Sequence, residues 1–108
     1  MTVADPVRVF QALGDPTRAA LVQALARTDS ASERALSAPL PLTRQAVAKH
    51  LAVLRDVGLV SAARVGRETR YRLSTDRLRD AEAWLGTVGR EWERQLRLVR
   101  DVAERAGG

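Results

Sequence analysis

The sequence predicts a mainly α-helical domain with one small β-hairpin, in the order helix, helix, helix, helix, strand, strand, helix. Two observations support this prediction. The first is that, along residues 1–58, residues typical of helix starts precede apolar residues at helical spacing. The second is that residues 59–73 alternate with a period of two, as in strands, and are followed by apolar residues in a long heptad pattern. At 108 residues, the chain is expected to form one domain, residues 1–108, that is large enough to hold its own core.

The first two predicted helices begin with the same signal. Asp5-Pro6 and Asp15-Pro16 each place a side-chain acceptor before a proline, whose fixed φ and missing N–H suit the first helical position. The first helix is expected to end at Gly14 and the second near Asp29. The apolar residues expected to face inward in the first helix are Val7, Phe10 and Leu13. Those expected in the second are Ala20, Leu21, Ala24 and Leu25.

Two further helices are predicted before the hairpin. Ser30 and Glu33 have capping-box spacing, which predicts a short helix at about residues 32–38 that two prolines then end. Thr43 is the predicted N-cap of the fourth helix, and Gly58 supplies its C-terminal stop. Steps of four and three place three residues of that helix inward, namely Val47, Leu51 and Leu54. The opposite face carries Arg44, Gln45, Lys49 and His50.

A β-hairpin follows, with one arm starting at Leu59-Val60, a loop at residues 65–68 and a second arm at residues 69–73. In the second arm Thr69, Tyr71 and Leu73 are expected to point one way, and Arg70 and Arg72 the other. From Ser74 a long helix is predicted, in which Gly86 and Gly89 each cost about 1 kcal/mol relative to alanine. The first apolar heptad position of this helix is occupied by Leu78, Leu85, Trp92 and Val99. The second is occupied by Ala81, Val88, Gln95 and Val102.

The positive charge is confined to one part of the chain. The net charge of the protein is +5, but residues 34–74 alone hold eight basic residues against two acids, a net +6. The segments before and after carry −1 and 0. A localised basic segment indicates an acidic partner, of which nucleic acid is the commonest.

Composition and motifs exclude several other classes of protein. The chain has no cysteine, so it has no disulfide, thiolate metal site or cysteine nucleophile. It has no apolar run of membrane-spanning length and no signal-peptide layout, so we expect a cytoplasmic protein without a membrane partner. No nucleophile with a base, metal cluster or phosphate-cradling glycine loop is recognisable, so we predict no enzyme, no catalytic or metal-ligating residue and no cofactor.

The order of elements and the position of the charge together predict a winged helix-turn-helix that binds DNA. A helix fits the major groove, and the residues of its first turn meet base edges. The predicted contacts on the fourth helix are Thr43, Arg44, Gln45, Ala46, Lys49 and His50. Those on the hairpin, which are placed to follow the flanking backbone or enter the minor groove, are Arg64, Arg67, Arg70 and Arg72.

Three segments in the correct order resemble the ArsR-type winged-helix repressors. They are FQALGDPTR at residues 10–18, LTRQAVAKHL at residues 42–51 with VLRDVGLV at 53–60, and GRETRYRL at residues 66–73. The resemblance implies a homodimer, paired through its first and last helices, that binds an operator near a promoter and usually represses it. The residues expected at that dimer interface are Val7, Phe10, Leu85, Val88, Trp92, Leu96 and Val99.

Metal sensing, which the best-known members of this family perform, is not expected here. It needs a cysteine pair in the third helix, or histidine with carboxylates in the last, and His50 in the fourth helix is the only histidine. The resemblance is closer to the cysteine-free branch, and no small-molecule effector can be named from the sequence.

Three alternatives stay open at this point. His50 either faces DNA or is satisfied by the protein itself. Trp84 and Trp92 either belong to the core and dimer interface or frame a ligand pocket. The whole domain either regulates transcription or uses its basic face to dock an acidic protein partner.

Overall fold

The computed structural model describes residues 5–107, in which five helices and three strands form the predicted mainly helical domain with a hairpin. In chain order the elements are α1 (Pro6–Leu13), α2 (Pro16–Leu25), β1 (Ala31–Ser32), α3 (Glu33–Ser37), α4 (Arg44–Asp56), β2 (Val60–Val65), β3 (Glu68–Leu73) and α5 (Thr75–Gly107). The predicted winged helix-turn-helix architecture is confirmed, with β1 as an additional short strand.

Side-chain caps fix where three of the helices begin. Asp5 Oδ1 accepts a hydrogen bond from the Val7 N–H at 3.0 Å, and Asp15 Oδ2 accepts one from the Arg18 N–H at 3.0 Å. At the start of α4, Thr43 Oγ1 accepts from the Ala46 N–H at 3.1 Å. These bonds satisfy backbone donors that have no partner within the helix, and all three caps are the ones that the sequence predicts.

The start of α3 differs from the prediction. Its cap is Ser32, whose Oγ accepts from the Ala35 N–H at 3.0 Å, so the predicted capping box between Ser30 and Glu33 is wrong. The reason is that Ala31 and Ser32 are extended and pair with β3, which keeps Ser30 outside the helix. The helix is therefore only five residues long, Glu33–Ser37.

The three strands form one antiparallel sheet in the order β1-β3-β2. The hairpin register pairs Val60 with Leu73 and Val65 with Glu68, which leaves a turn of two residues, Gly66-Arg67, shorter than the predicted loop. Gly66 has a φ of +64°, a left-handed conformation that glycine adopts without steric cost at the first position of such a turn. The turn therefore presents Arg67 at the tip of the wing, the hairpin formed by β2 and β3.

The core lies where α4 packs on α2, α3 and β2. The three α4 residues predicted to face inward, Val47, Leu51 and Leu54, are fully buried. The hairpin contributes Leu59, Val60 and Tyr71 to the same core. The inward face of α4, the predicted DNA-contacting helix and hereafter the recognition helix, is therefore the one that its apolar spacing predicts.

The inward faces of the first two helices differ in part from the prediction. In α1 Val9 and Ala12 are buried, whereas Val7 is 49% exposed; Phe10 and Leu13 pack only partly against the core. In α2 Val22 is buried alongside the predicted pair Leu21 and Leu25, whereas the predicted residues Ala20 and Ala24 are exposed. Helix α2 also ends at Leu25 rather than near Asp29 because Ala26–Asp29 form turns and bends. Each helix carries apolar residues on more than one side, so the packing of the neighbouring elements decides which side is buried.

Helix α5 runs for 33 residues without interruption, through Gly86 and Gly89. Near its start Leu78 packs against the core and Ala81 is buried, and Phe10 of α1 packs against Trp84 with ring centroids 5.4 Å apart. Beyond Trp84 the apolar side chains of α5 are all exposed. The helix thus presents an apolar stripe that no other part of residues 5–107 covers.

Candidate nucleic-acid interface

The exposed side of α4 carries the polar residues that were predicted to contact DNA. Arg44, Gln45 and Lys49 are exposed, and we call these three residues the recognition face. Gln45 and Lys49 lie four residues apart, so they stand on the same side of the helix, one turn from each other. Ala46 is half-buried, and Thr43 uses its hydroxyl oxygen as the cap. Long polar side chains therefore project from the N-terminal half of α4, with small ones between them.

The wing separates its arginines into two groups. Arg64, Arg67 and Arg72 are exposed, whereas Arg70 is tied to the protein. Arg70 donates from Nε to Ser30 Oγ at 2.9 Å and from a terminal nitrogen to the Ser30 carbonyl at 3.1 Å, and it pairs with Glu68 at 3.2 Å. Arg70 thus joins the wing to the segment before β1.

His50 is turned away from the recognition face, toward the junction of α1 and α2. Its Nδ1 lies 3.4 Å from a terminal nitrogen of Arg18 and 3.7 Å from Asp15 Oδ2. Arg18 also donates to the carbonyls of Ala12, at 2.6 Å, and Gln11, at 3.4 Å, in the last turn of α1. Asp15, Arg18 and His50 therefore form a polar cluster that connects α1, α2 and α4.

The Asp15 carboxylate is stabilised in its charged form. The hydrogen bond from the Arg18 N–H lowers the pKa of Asp15, and the charges of His50 and Arg18 lower it further, against an opposing effect of burial. A depressed folded-state pKa adds stability that is present above the unfolded pKa and is lost as the pH falls through the folded value. The cluster therefore stabilises the fold at neutral pH and loses that contribution in acid.

This cluster gives a prediction for Asp15→Ala and Asp15→Asn. Asp15→Ala removes both the cap and the charge, so its free energy of unfolding at neutral pH should be lower than that of Asp15→Asn, which keeps a capping oxygen. Urea unfolding at a series of pH values checks this. The deficit of both variants relative to wild type should shrink as the pH falls below about 4, the pKa of aspartate in the unfolded chain, toward the lower folded-state pKa of Asp15. A deficit that is independent of pH would contradict a charged Asp15.

A groove separates the recognition helix from the wing. We call it the arginine groove, and the residues that line it are Ser32, Glu33, Arg34, Arg44, Arg64, Arg67, Glu68 and Thr69. The sequence predicted that Arg44, Arg64 and Arg67 contact DNA, but it did not single out Arg34, which lies on α3. The signal for Arg34 was present in the charge count, because it is the first basic residue of the +6 segment.

Both carboxylates of the groove already have partners. Glu68 pairs with Arg70. Glu33 Oε2 accepts a hydrogen bond from the Tyr71 hydroxyl at 3.4 Å. Burial, together with the charge of Glu33, raises the pKa of the Tyr71 hydroxyl, which therefore stays protonated and able to donate. Glu33 thus links the wing to α3, whereas the pair of Glu68 with Arg70 lies within β3.

Most residues predicted for a dimer interface lie on exposed surfaces. The exposed members are Val7 on α1 and Leu85, Val88, Trp92, Leu96 and Val99 on α5. Phe10 is partly buried beneath Trp84. The two tryptophans differ in their surroundings, because Trp84 contacts Phe10 whereas Trp92 is 64% exposed.

Two negative observations apply to residues 5–107. No group of three or more His, Asp or Glu side chains in this range is arranged to hold a metal ion. No helix in the same range combines the length and the apolar character needed to cross a membrane.

Helices α3 and α4, followed by the wing, define a winged helix-turn-helix protein of the DNA-binding class. Residues 13–61 match a family model described as a helix-turn-helix domain. The structure is similar to an ArsR-like transcriptional regulator from Rhodococcus sp. RHA1, with a TM-score of 0.81 and 40% identity, covering 91% of this chain and 92% of that one. The chain belongs to the ArsR family of winged helix-turn-helix transcriptional regulators, as its motifs predict.

Two curated relatives agree with this assignment. The HTH-type transcriptional regulator Rv2034 of Mycobacterium tuberculosis is 37% identical over 88% of this chain and 85% of its own length. A probable mercury resistance operon repressor of Streptomyces lividans is 37% identical over 68% of this chain, which spans only 58% of that relative. The protein is therefore a DNA-binding transcriptional regulator and not an enzyme.

Proposed function

We propose that this regulator is a homodimeric repressor that binds a palindromic operator in double-stranded DNA. The observation that carries the proposal is the exposed recognition face at the N-terminal half of α4, beside the exposed arginines of the wing. An α-helix fits the major groove of B-DNA, and arginine, glutamine and lysine are side chains that pair with base edges and phosphates there.

The proposed roles follow from exposure and from existing contacts. Arg44 and Gln45, in the first turn of α4, contact base edges, and Ala46 packs on a thymine methyl group. Lys49 and the wing residues Arg64 and Arg67 contact phosphates. Thr43 fixes the start of the helix through its cap, so its hydroxyl positions Arg44.

Two residues predicted to contact DNA receive a different role in this proposal. His50 and Arg70 spend their polar atoms on Arg18, Asp15, Ser30 and Glu68. We therefore assign them to holding α4 and the wing in position, since a side chain already bonded within the protein has fewer donors left for DNA.

The proposed dimer rests on the uncovered stripe of α5. Trp92 and Val99 are 64% and 65% exposed, seven residues apart on one helix. Large contiguous apolar surfaces are uncommon on monomers, and a twofold partner is the commonest cover. A twofold dimer also places two recognition helices about 34 Å apart, which matches successive major grooves and hence a palindromic site.

Repression is supported by one relative, since the Streptomyces lividans protein is named a probable operon repressor. The operator would be found by selecting bound fragments from genomic DNA with the purified protein. Fragments sharing an inverted repeat near a promoter, and lower transcription of that promoter when the protein is present, would agree with the proposal. Partners that survive nuclease treatment, with no enriched DNA, would instead favour docking to an acidic protein.

Salt dependence and substitution at Gln45 and Arg67 give a prediction for the DNA contacts. Binding to the selected operator should weaken steeply with salt, because each neutralised phosphate releases counterions. Gln45→Ala should reduce discrimination against operator mismatches by about 1–3 kcal/mol. Arg67→Ala should weaken binding to all sequences alike and lower the salt slope by about 2, because a bound dimer loses one phosphate contact in each half-site. Fluorescence anisotropy on matched and mismatched duplexes measures both effects.

The control for this prediction is Arg105→Ala. It removes the same charge as Arg67→Ala, but from an exposed position in the last turn of α5. Its salt slope should equal that of wild type. If Arg105→Ala and Arg67→Ala change the slope equally, net charge rather than a wing contact is responsible. If Gln45→Ala leaves the mismatch penalties unchanged, Gln45 does not contact bases.

A further inference from the structure

Arg34 is placed where DNA would pass between the recognition helix and the wing, but the proposed interface gives it no role. It lies on α3 and lines the arginine groove with Arg44 at the start of α4 and with Arg64 and Arg67 of the wing. Three separate elements therefore bring four guanidinium groups to one open groove.

The charge of this groove is unbalanced. Four arginines and two carboxylates, Glu33 and Glu68, line it. Glu68 is already paired with Arg70, and Glu33 accepts a hydrogen bond from Tyr71. None of the four arginines forms a salt bridge with any residue in the described range 5–107. Like charges gathered in one groove repel each other, and an anion between them would remove that cost.

We propose that the arginine groove holds one backbone phosphate of the bound DNA, with Arg34 as a further phosphate-contacting residue. This inference rests on the proposed DNA-binding function. The planar guanidinium fork matches the oxygens of a phosphate, and two such groups on opposite walls can hold one phosphate between them. The groove is open, so a continuous sugar-phosphate backbone can run through it.

The position of the groove specifies which phosphate is held. With α4 in the major groove and the wing on the flanking backbone, the groove lies over the strand between them. The phosphate held there would contact α3, which packs on α4, and the wing together. It would therefore fix the wing relative to the recognition helix, which contacts to α4 alone cannot do.

The first test compares Arg34→Ala with Arg105→Ala on the selected operator. Arg34→Ala should weaken binding by at least about tenfold, as expected for loss of a charged hydrogen bond in each half-site, and should lower the salt slope by about 2. Arg105→Ala should do neither. Arg34→Gln, which keeps a polar side chain of similar length without the charge, should lower the slope equally. Circular dichroism establishes that each variant is folded.

The second test identifies the phosphate. Each operator in a series carries one neutral methylphosphonate in place of a phosphate. At one position the replacement should weaken binding by the wild type, whereas Arg34→Ala and Arg34→Gln should bind this operator as tightly as they bind the unmodified one. Arg34→Ala combined with Arg64→Ala should weaken binding by less than the product of the two single effects, because both side chains hold one phosphate.

The outcomes separate this inference from the function on which it rests. Suppose that wild-type binding is steep in salt, but the Arg34 variants bind as tightly as Arg105→Ala on every methylphosphonate operator. That result overturns the phosphate site and leaves the DNA-binding proposal intact. Independent effects of Arg34 and Arg64 also overturn it, because they would show two phosphates. No enrichment of DNA by the wild-type protein overturns both.

Discussion

Replacing Trp92 and Val99 together with glutamate should make the protein monomeric and weaken operator binding by at least about a hundredfold. Both side chains belong to the uncovered stripe of α5. In a twofold dimer the double variant would bring four carboxylates into an apolar interface, where unpaired charges are strongly disfavoured. A monomer engages only one half-site and loses the effective concentration that a linked second recognition helix provides, typically a factor of 10² to 10⁴.

Analytical ultracentrifugation and anisotropy on the full operator measure the two parts of this prediction. Wild type should sediment with twice the 11.8 kDa mass of one chain, and the variant with that of one chain. The matched control is Thr87→Glu with Arg94→Gln, which lowers the net charge by the same two units on another side of α5. If the control pair also dissociates, the change in net charge alone explains the loss of the dimer. If the Trp92 and Val99 double variant stays dimeric, the dimer interface does not include this stripe of α5.

The recognition helix is the part of the fold that the sequence predicts most completely. Its cap, its inward residues and its glycine stop all lie within α4 and its flanking residues, so the information is local. Thr43 caps it, Val47, Leu51 and Leu54 are buried, and Gly58 takes a φ of +79° after it. A glycine is required there because other residues rarely adopt that conformation.

The errors lie where distant parts of the chain decide the outcome. Strand β1 has two residues, too few for an alternating pattern, and it exists because β3 offers it a partner. Val7 and Val9 are equally apolar, but only the packing of other elements on α1 buries Val9 rather than Val7.

The candidate site likewise combines residues that could be assigned from the local sequence with residues whose roles depend on distant parts of the chain. Arg44, Gln45 and Lys49 could be assigned because they follow a local cap on a helix whose opposite side is apolar. Apart from Glu68, the partner of Arg70 is Ser30, which lies 40 residues away along the chain, and Arg18 lies 32 residues from His50. No local pattern reveals that these two side chains are engaged within the protein. Arg34 was missed because it lies outside the recognition helix and the wing, and only the fold brings it to the arginine groove.

Leu51→Ala should lower the free energy of unfolding by about 2–5 kcal/mol, the range for a buried leucine truncated in a packed core. Leu51 is 0% exposed on the inward side of α4, where neighbouring elements cannot fully close the cavity. Val53→Ala is the control on the same helix. Val53 is 38% exposed, so its truncation should change stability by less than about 1 kcal/mol. Urea unfolding at one fixed protein concentration measures both, because the stability of a dimer depends on concentration.

The same pair of variants separates folding from recognition. Leu51→Ala leaves every exposed side chain of α4 unchanged, so its operator preference in the cold should match that of wild type. On warming, its binding should fall together with the folded fraction measured by circular dichroism, whereas Val53→Ala should follow wild type. Lost sequence preference in a fully folded Leu51→Ala would contradict this view. It would show that the cavity shifts the recognition face, and that packing beneath α4 sets its geometry as well as its stability.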